Sequence, residues 1–174
     1  MSNEILELLT RKVTKRMPRD ELEQHIVEFL KSHNMCVLAT SKDNIPRATP
    51  IEYYSERTTL YMVGDPGTKL DNIRANPRVS IGIHDPLTGW LSVKGVQITG
   101  EAALIADGDP VYDEAMRIYK WENMGKEIGL TEPPRGHTII KVESKKVELA
   151  EVALKQRGYS ARQIWQASER DSGK

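Results

Sequence analysis

From Met35 onward the chain is a run of extended segments mostly adjacent in sequence, with short turns or helices between them, and this sets the class of fold. MCVLATS is a compact apolar run, KDNI supplies turn residues, PRATPIEYY is extended again, and TTLYMVGD is a third segment. Strands joined by a few turn residues pair antiparallel, whereas a parallel pair needs a connection of a dozen residues or more. After a brief helical stretch, TKLDNIRAN, the extended pattern returns in RVSIGIHD, in the long WLSVKGVQITGEAALI, and in HTIIKVESKKVELAEV. Gly95 and Gly100 interrupt the long segment and mark a bend or a close approach of backbones. The expected fold is mainly β (α+β), an antiparallel barrel or sandwich with N-terminal helices and short peripheral helices.

Ahead of the strands the period is helical. Ile5, Leu6, Leu8, Leu9 and Val13 recur at helical spacing up to the break at Pro18, and Leu22, Ile26, Phe29 and Leu30 then form the stripe of a second helix ending near Asn34. Asp20 with Glu23 three positions later reads as a capping box. DGDPVYDEAMRIYKWENMGKEIG reads as one helix capped near Asp109, with Pro110 in its first turn. After Lys155 the chain is polar, with a short helix expected through ARQIWQAS and a frayed end at ERDSGK. The expected division is 1–34 for a helical extension, 35–152 for the β domain and 153–174 for a C-terminal tail. Met116, Tyr119, Trp121 and Trp165 lie outside the predicted strands and are expected to cover an interface with a second copy.

Composition narrows the function classes. Lys plus Arg and Asp plus Glu both number 25, so no net field draws the chain to nucleic acid or to an anionic membrane, and a small neutral-to-anionic ligand in a local pocket stays open. Cys36 is the single cysteine, which excludes a disulfide framework and a thiolate cluster; inside MCVLAT it reads as a small buried hydrophobe. The first 16 residues carry charges throughout, and no run approaches the roughly 20 apolar residues of a membrane span, so a cytoplasmic protein is expected. His25, His33, His84 and His137 lack ligand spacing, and no metal is expected. Walker A, G-x-G-x-x-G, H-E-x-x-H and G-x-S-x-G patterns are absent.

One stretch stands apart: DPGTKLDNIRANPRV, residues 65–79. Gly67 frees the backbone, Thr68 offers a hydroxyl and an N–H, and Lys69 adds a positive charge at a helix N-terminus, which are the parts of a phosphate anchor. Taken alone, the same residues equally describe an N-cap threonine and a solvated lysine.

Together with ATSKDNIPRATPIEYY upstream and LSVKGVQITGEA downstream, this stretch resembles the pyridoxamine 5′-phosphate oxidase-like family of FMN-binding split barrels over residues 35–149. The resemblance implies a six-stranded antiparallel split β-barrel that pairs as a homodimer with FMN in a groove between the subunits. It assigns Arg47, Thr68 and Lys69 to the FMN phosphate, Ala48, Thr49, Pro50 and Ile51 to the segment along the isoalloxazine, and Tyr61, Met62 and Val63 to the strand bordering it. Lys94 falls where the family carries a basic residue near the flavin, with Gln97 further along the same strand. By analogy Arg162 and Trp165 pack over the groove.

Two departures bear on the substrate. Glu52 stands where the oxidases proper carry a lysine for the substrate phosphate, and their C-terminal arginine-histidine motif is absent, so vitamin B6 is not the expected substrate. The implied activity is that of a flavin-dependent oxidoreductase acting on a small molecule with an electron donor or acceptor, and no side chain is assigned as catalytic. The alternative within the same fold is a non-catalytic flavin, deazaflavin or haem binding or sensing protein.

Overall fold

The extended segments pair antiparallel into one eight-stranded sheet in the computed structural model, which describes residues 2–167. In chain order the elements are α1 (Ser2–Thr10), α2 (Arg19–Lys31), β1 (Met35–Lys42), β2 (Ile45–Glu52), β3 (Tyr54–Glu56), β4 (Thr59–Gly64), α3 (Thr68–Ala75), β5 (Arg78–His84), β6 (Lys94–Ala106), α4 (Tyr112–Ile118), α5 (Trp121–Glu127), β7 (Thr138–Glu151) and β8 (Arg162–Gln166). The ladder runs β2-β1-β5-β6-β7-β4-β3, and β8 also pairs with β7. The six longer strands make the expected barrel, with β3 and β8 as short additions.

The split in the barrel follows from the long strands. β6 and β7 pair along almost their whole length, with a register shift between Thr99 and Gly100. The other edge of β7 is divided: residues 138–143 take β4 and residues 146–150 take β8. The sheet therefore parts into two wings. Its terminal strands, β2 and β3, are consecutive in the chain and are separated only by Tyr53. That residue is fully buried; its N–H donates to the Asn34 carbonyl at 2.8 Å and its hydroxyl to the Leu30 carbonyl at 2.8 Å. The seam of the barrel is thus tied to the end of α2.

Alternation along the strands places Leu38, Ile81, Ile98 and Val147 in the barrel core, and the predicted stripe of α2 (Leu22, Ile26, Phe29, Leu30) packs against them. Cys36 is buried in the same core, which pushes its thiol up to about 12. A second cluster lies outside the barrel, where α4 and the following turn cover Tyr61, Ile105 and Ile139.

Several local expectations are revised. Asp20 is not the cap of α2: the helix begins at Arg19 after Pro18, whose fixed φ starts the turn without a side-chain cap. The helix expected after Pro110 is two helices, broken where Lys120 adopts φ 58°. Trp90–Ser92 is a 3₁₀ turn ahead of β6 rather than strand. Residues 162–166 form β8 instead of a helix, because Gln163 and Trp165 alternate inward at the free edge of β7. Met116, Tyr119, Trp121 and Trp165 are all buried in their own chain, so they offer no interface. The end expected to fray, 169–174, lies outside the described residues. No helix among the described residues is long and apolar enough to cross a membrane.

The bend between the wings needs a glycine. A Cβ on Gly100 would lie 2.7 Å from the Glu143 carbonyl oxygen, against backbone that the ladder holds in place, whereas one on Gly89 would meet nothing within 4 Å. Gly100→Ala is expected to lower unfolding stability by about 1–3 kcal/mol and Gly89→Ala to change it by less than about 0.5 kcal/mol, as read from urea unfolding midpoints.

Candidate functional site

The hairpin of β1 and β2 turns on Asp43 and Asn44, both at positive φ (52° and 61°), the turn that matches strand twist. Its register pairs Arg47 with Thr40, Thr49 with Leu38 and Ile51 with Cys36. Since directly opposed residues share a face, Arg47, Thr49 and Ile51 point to the core side, while Ala48, Pro50 and Glu52 point outward. Pro46 and Pro50 lack an N–H and suit the edge strand on which they lie.

β3 pairs with β4 only from Thr59 to Tyr61, so the edge of Met62, Val63 and Gly64 approaches β2 without joining it in a ladder. That unpaired approach is the split. Immediately beyond it, Gly67 takes φ 143°, a conformation suited to glycine, and its carbonyl accepts the N–H groups of Leu70 and Asp71 to open α3. The first N–H groups of a helix have no partner within it, and here they belong to Thr68 and Lys69.

Buried polar contacts set α3 beside Arg47. Asn72 donates to the Thr40 hydroxyl at 3.1 Å, and Asn76 donates to Ser41 at 3.1 Å. Thr40 is the strand partner of Arg47, and Asn72 lies one helical turn from Thr68. Arg47, Thr68 and Lys69 are therefore brought to one mouth of the split. Lys69 Nζ donates to the Asp65 carbonyl at 3.2 Å. Among the described residues neither Arg47 nor Lys69 has a carboxylate within 4.0 Å.

Two hydroxyls flank the same seam. Thr49 Oγ1 on β2 and Ser55 Oγ on β3 are buried without a hydrogen-bond partner, and such groups cost about 1–3 kcal/mol each when left so. A phosphate wants fixed cations and helix N–H donors, and a flavin ring presents polar edges along an otherwise apolar plate. The donor set and the orphaned hydroxyls fit both.

The other residues assigned from the sequence fall in different places. Met62 is fully buried in the barrel core, Tyr61 is buried in the second cluster, and Val63 packs against that cluster, so what β4 presents to the seam is chiefly its backbone edge. Lys94 is at the far end of β6, where its Nζ lies 3.3 Å from Glu151 and over the Phe29 ring. Gln97 is exposed on the outer face of the sheet. Within one chain, neither joins Arg47 and Lys69. Glu52 accepts a 2.9 Å hydrogen bond from Tyr119, whose hydroxyl burial and this carboxylate push up in pKa. Ser55, Asn72 and Tyr119 carry no motif. Only the alternation of a three-residue strand could have marked Ser55, and nothing local marks the other two.

Residues 22–151 match the family model of pyridoxamine 5′-phosphate oxidase. An uncharacterized protein of Rhizobium meliloti, RA0666, is 32% identical over 98 residues, which are 55% of this chain and 62% of that protein; the chain thus spans under two thirds of this relative. The crystal structure of a FAD-binding protein from Mesorhizobium loti is similar at TM-score 0.56 and 27% identity, covering 73% of this chain and 89% of that one. A heme-binding protein from Mycobacterium smegmatis shares the fold at TM-score 0.60 and 17% identity, over 86% of this chain and 59% of its own.

The position of Lys94 has a consequence for acid stability. Glu151 is partly buried, which works against its ionisation, but His25 Nε2 at 2.6 Å and Lys94 outweigh this and hold its carboxyl below the usual range. A depressed carboxylate contributes stability above its unfolded pKa, here 4.5, and loses it as pH falls through the folded value. Glu151→Gln is expected to cost about 1–3 kcal/mol at pH 7, a difference that shrinks below pH 4.5, as measured by urea unfolding across that range.

Proposed function

The chain belongs to the pyridoxamine 5′-phosphate oxidase family, and we propose that it is an FMN-binding flavoprotein, paired as a homodimer, acting as a flavin-dependent oxidoreductase on a small molecule. The observation that carries this reading is the tie between α3, which opens at Thr68 and Lys69, and the strand position of Arg47, made by the Asn72 hydrogen bond to Thr40 opposite Arg47. A phosphate of nearly two negative charges is what such an arrangement suits. The similarity to a FAD-binding protein at 27% identity supports flavin binding.

In this reading Arg47, Lys69 and the Thr68 hydroxyl hold the phosphate. Ala48 to Ile51 lie along the ring, and the hydroxyls of Thr49 and Ser55 meet its polar edges, which relieves their burial without partners. The edge of β4 from Tyr61 to Val63 borders the opposite side and helps exclude water. Bound FMN supplies the hydride and electron-transfer chemistry, so the protein's part is binding, orientation and electrostatics. Glu52 disfavours a phosphorylated substrate at the end of β2, because like charges there repel. Lys94 and Gln97 reach a flavin only from a second copy. The cytoplasm is the compartment we assign.

The test is the visible spectrum of the purified full-length protein, with mass identification of any released chromophore. Flavin bands and released FMN are expected; a haem Soret band, or a colourless protein that takes up no FMN, overturns the reading. Lys69→Ala is expected to weaken FMN binding roughly tenfold to a hundredfold while leaving riboflavin affinity nearly unchanged. Titration of both ligands by flavin fluorescence measures the difference, and equal losses would make Lys69 structural rather than a phosphate anchor.

A further inference from the structure

Glu52 is an exception among the acidic side chains. Of the half-buried carboxylates among the described residues, Glu21, Glu23, Asp85, Glu148 and Glu151 each have an arginine, lysine or histidine nitrogen within 4.0 Å. Glu52 is half-buried as well and has none among those residues. Its hydrogen bond is to a neutral group: the Tyr119 hydroxyl donates to Oε2 at 2.9 Å, and Oε1 accepts nothing from the described residues. A carboxylate taken partly out of water calls for a counter-charge, and here the chain supplies position without charge.

The surroundings of Glu52 are aromatic. Tyr119 is 4% exposed, and burial together with the Glu52 carboxylate raises its pKa, so its hydroxyl keeps the proton and donates. Its ring meets Tyr54 in a T-shaped contact, centroids 5.4 Å apart, and Asn123 of α5 donates to the Tyr54 hydroxyl at 3.3 Å. The break between α4 and α5 thus closes on this corner. Lys120 Nζ lies over the Tyr54 ring, 5.4 Å from its centroid, and not within 4.0 Å of Glu52. The ring therefore already attracts a cation, while the carboxylate stays open to one. A carboxylate beside electron-rich rings is the chemistry of an organic-cation site. Five residues of β2 separate it from Arg47, about 17 Å of strand, so this corner is the end of the seam remote from the phosphate anchor.

We propose that Glu52 determines the substrate class at this end of the seam: it receives an organic cation, an amine or amidine protonated at neutral pH, and Tyr119 is the positioning residue that fixes the carboxylate. The inference rests on the flavin reading above, which puts the substrate at the ring end of the seam. An ammonium or amidinium group supplies both the N–H donors that Oε1 lacks and the charge that Glu52 lacks. Such a charge-assisted hydrogen bond separates a cationic ligand from its neutral isostere by about tenfold or more, and an anionic isostere is repelled. The neutrality of the donor matters. An arginine in place of Tyr119 would hold Glu52 as firmly but cancel its charge, whereas a buried phenol orients the carboxylate and leaves the charge for a ligand.

Three probes of one shape and different charge test this: benzamidine, benzamide and benzoate, titrated calorimetrically into the full-length protein supplied with FMN. Benzamidine is expected to bind at least about tenfold more tightly than benzamide, with benzoate the weakest. Glu52→Gln keeps the shape and removes the charge, and is expected to erase the preference; Glu52→Lys is expected to turn it toward benzoate. Tyr119→Phe removes only the hydroxyl, and is expected to shrink the ratio of benzamidine to benzamide affinity by about threefold to tenfold, whereas a purely structural role for Tyr119 would weaken both probes alike. FMN affinity, read by flavin fluorescence, is expected to stay unchanged in all three variants. Benzamidine that binds no better than benzamide, or a preference that survives Glu52→Gln, overturns the cation site. A protein that holds FMN without the preference overturns this inference alone, and one that shows the Glu52-dependent preference but takes up no FMN overturns the flavin reading alone.

Discussion

The antiparallel pairing of β6 with β7, bent at Gly100, is the interaction on which the rest depends. Both strands are long, 13 and 14 residues, and only a position without a side chain lets the ladder turn where a Cβ would strike the Glu143 carbonyl. The bend divides the far edge of β7 between β4 and β8. A straight β7 would carry a single neighbour along that edge, and the wings and the seam would not exist in this form.

Once the wings part, the chain must still cross from β2 to β3. Tyr53 makes that crossing, and its two hydrogen bonds to Leu30 and Asn34 fix the seam to the end of α2. The cost appears beside it, in two buried hydroxyls without partners. Buried polar groups left in this condition are unfavourable for folding alone, so their place at one seam agrees with a binding role. The polar clusters elsewhere are closed: His25, Lys94 and Glu151 satisfy one another, as do His33 and Asp85 at 2.8 Å.

The membership of the pyridoxamine 5′-phosphate oxidase family and the seam chemistry point the same way, but the substrate end differs in character from the phosphate end. At one end of β2 stands Arg47 and at the other Glu52, five residues and a change of face apart. An anion is favoured at the first and disfavoured at the second. This polarity along a single strand orients a molecule with one phosphate without any need for a second anionic group.

The antiparallel class, the six longer strands, the core stripe of α2 and the helix after Gly67 were legible in the sequence, because periodicity and turn chemistry are local properties. Arg47, Thr68 and Lys69 were legible as candidates through their motif. Local pattern failed where a neighbouring element decided the outcome. ARQIWQAS has helical composition, yet it became β8 because β7 offered an unpaired edge, and the aromatic residues of α4 and α5 turned inward because Tyr61 and Ile139 left apolar surface to cover. The proximity of Arg47 to α3, the orphaned Thr49 and Ser55 hydroxyls, and the distance of Lys94 from them are all matters of register. A sequence determines which residues alternate together along a strand, but only the folded sheet decides which strands lie side by side and at what level.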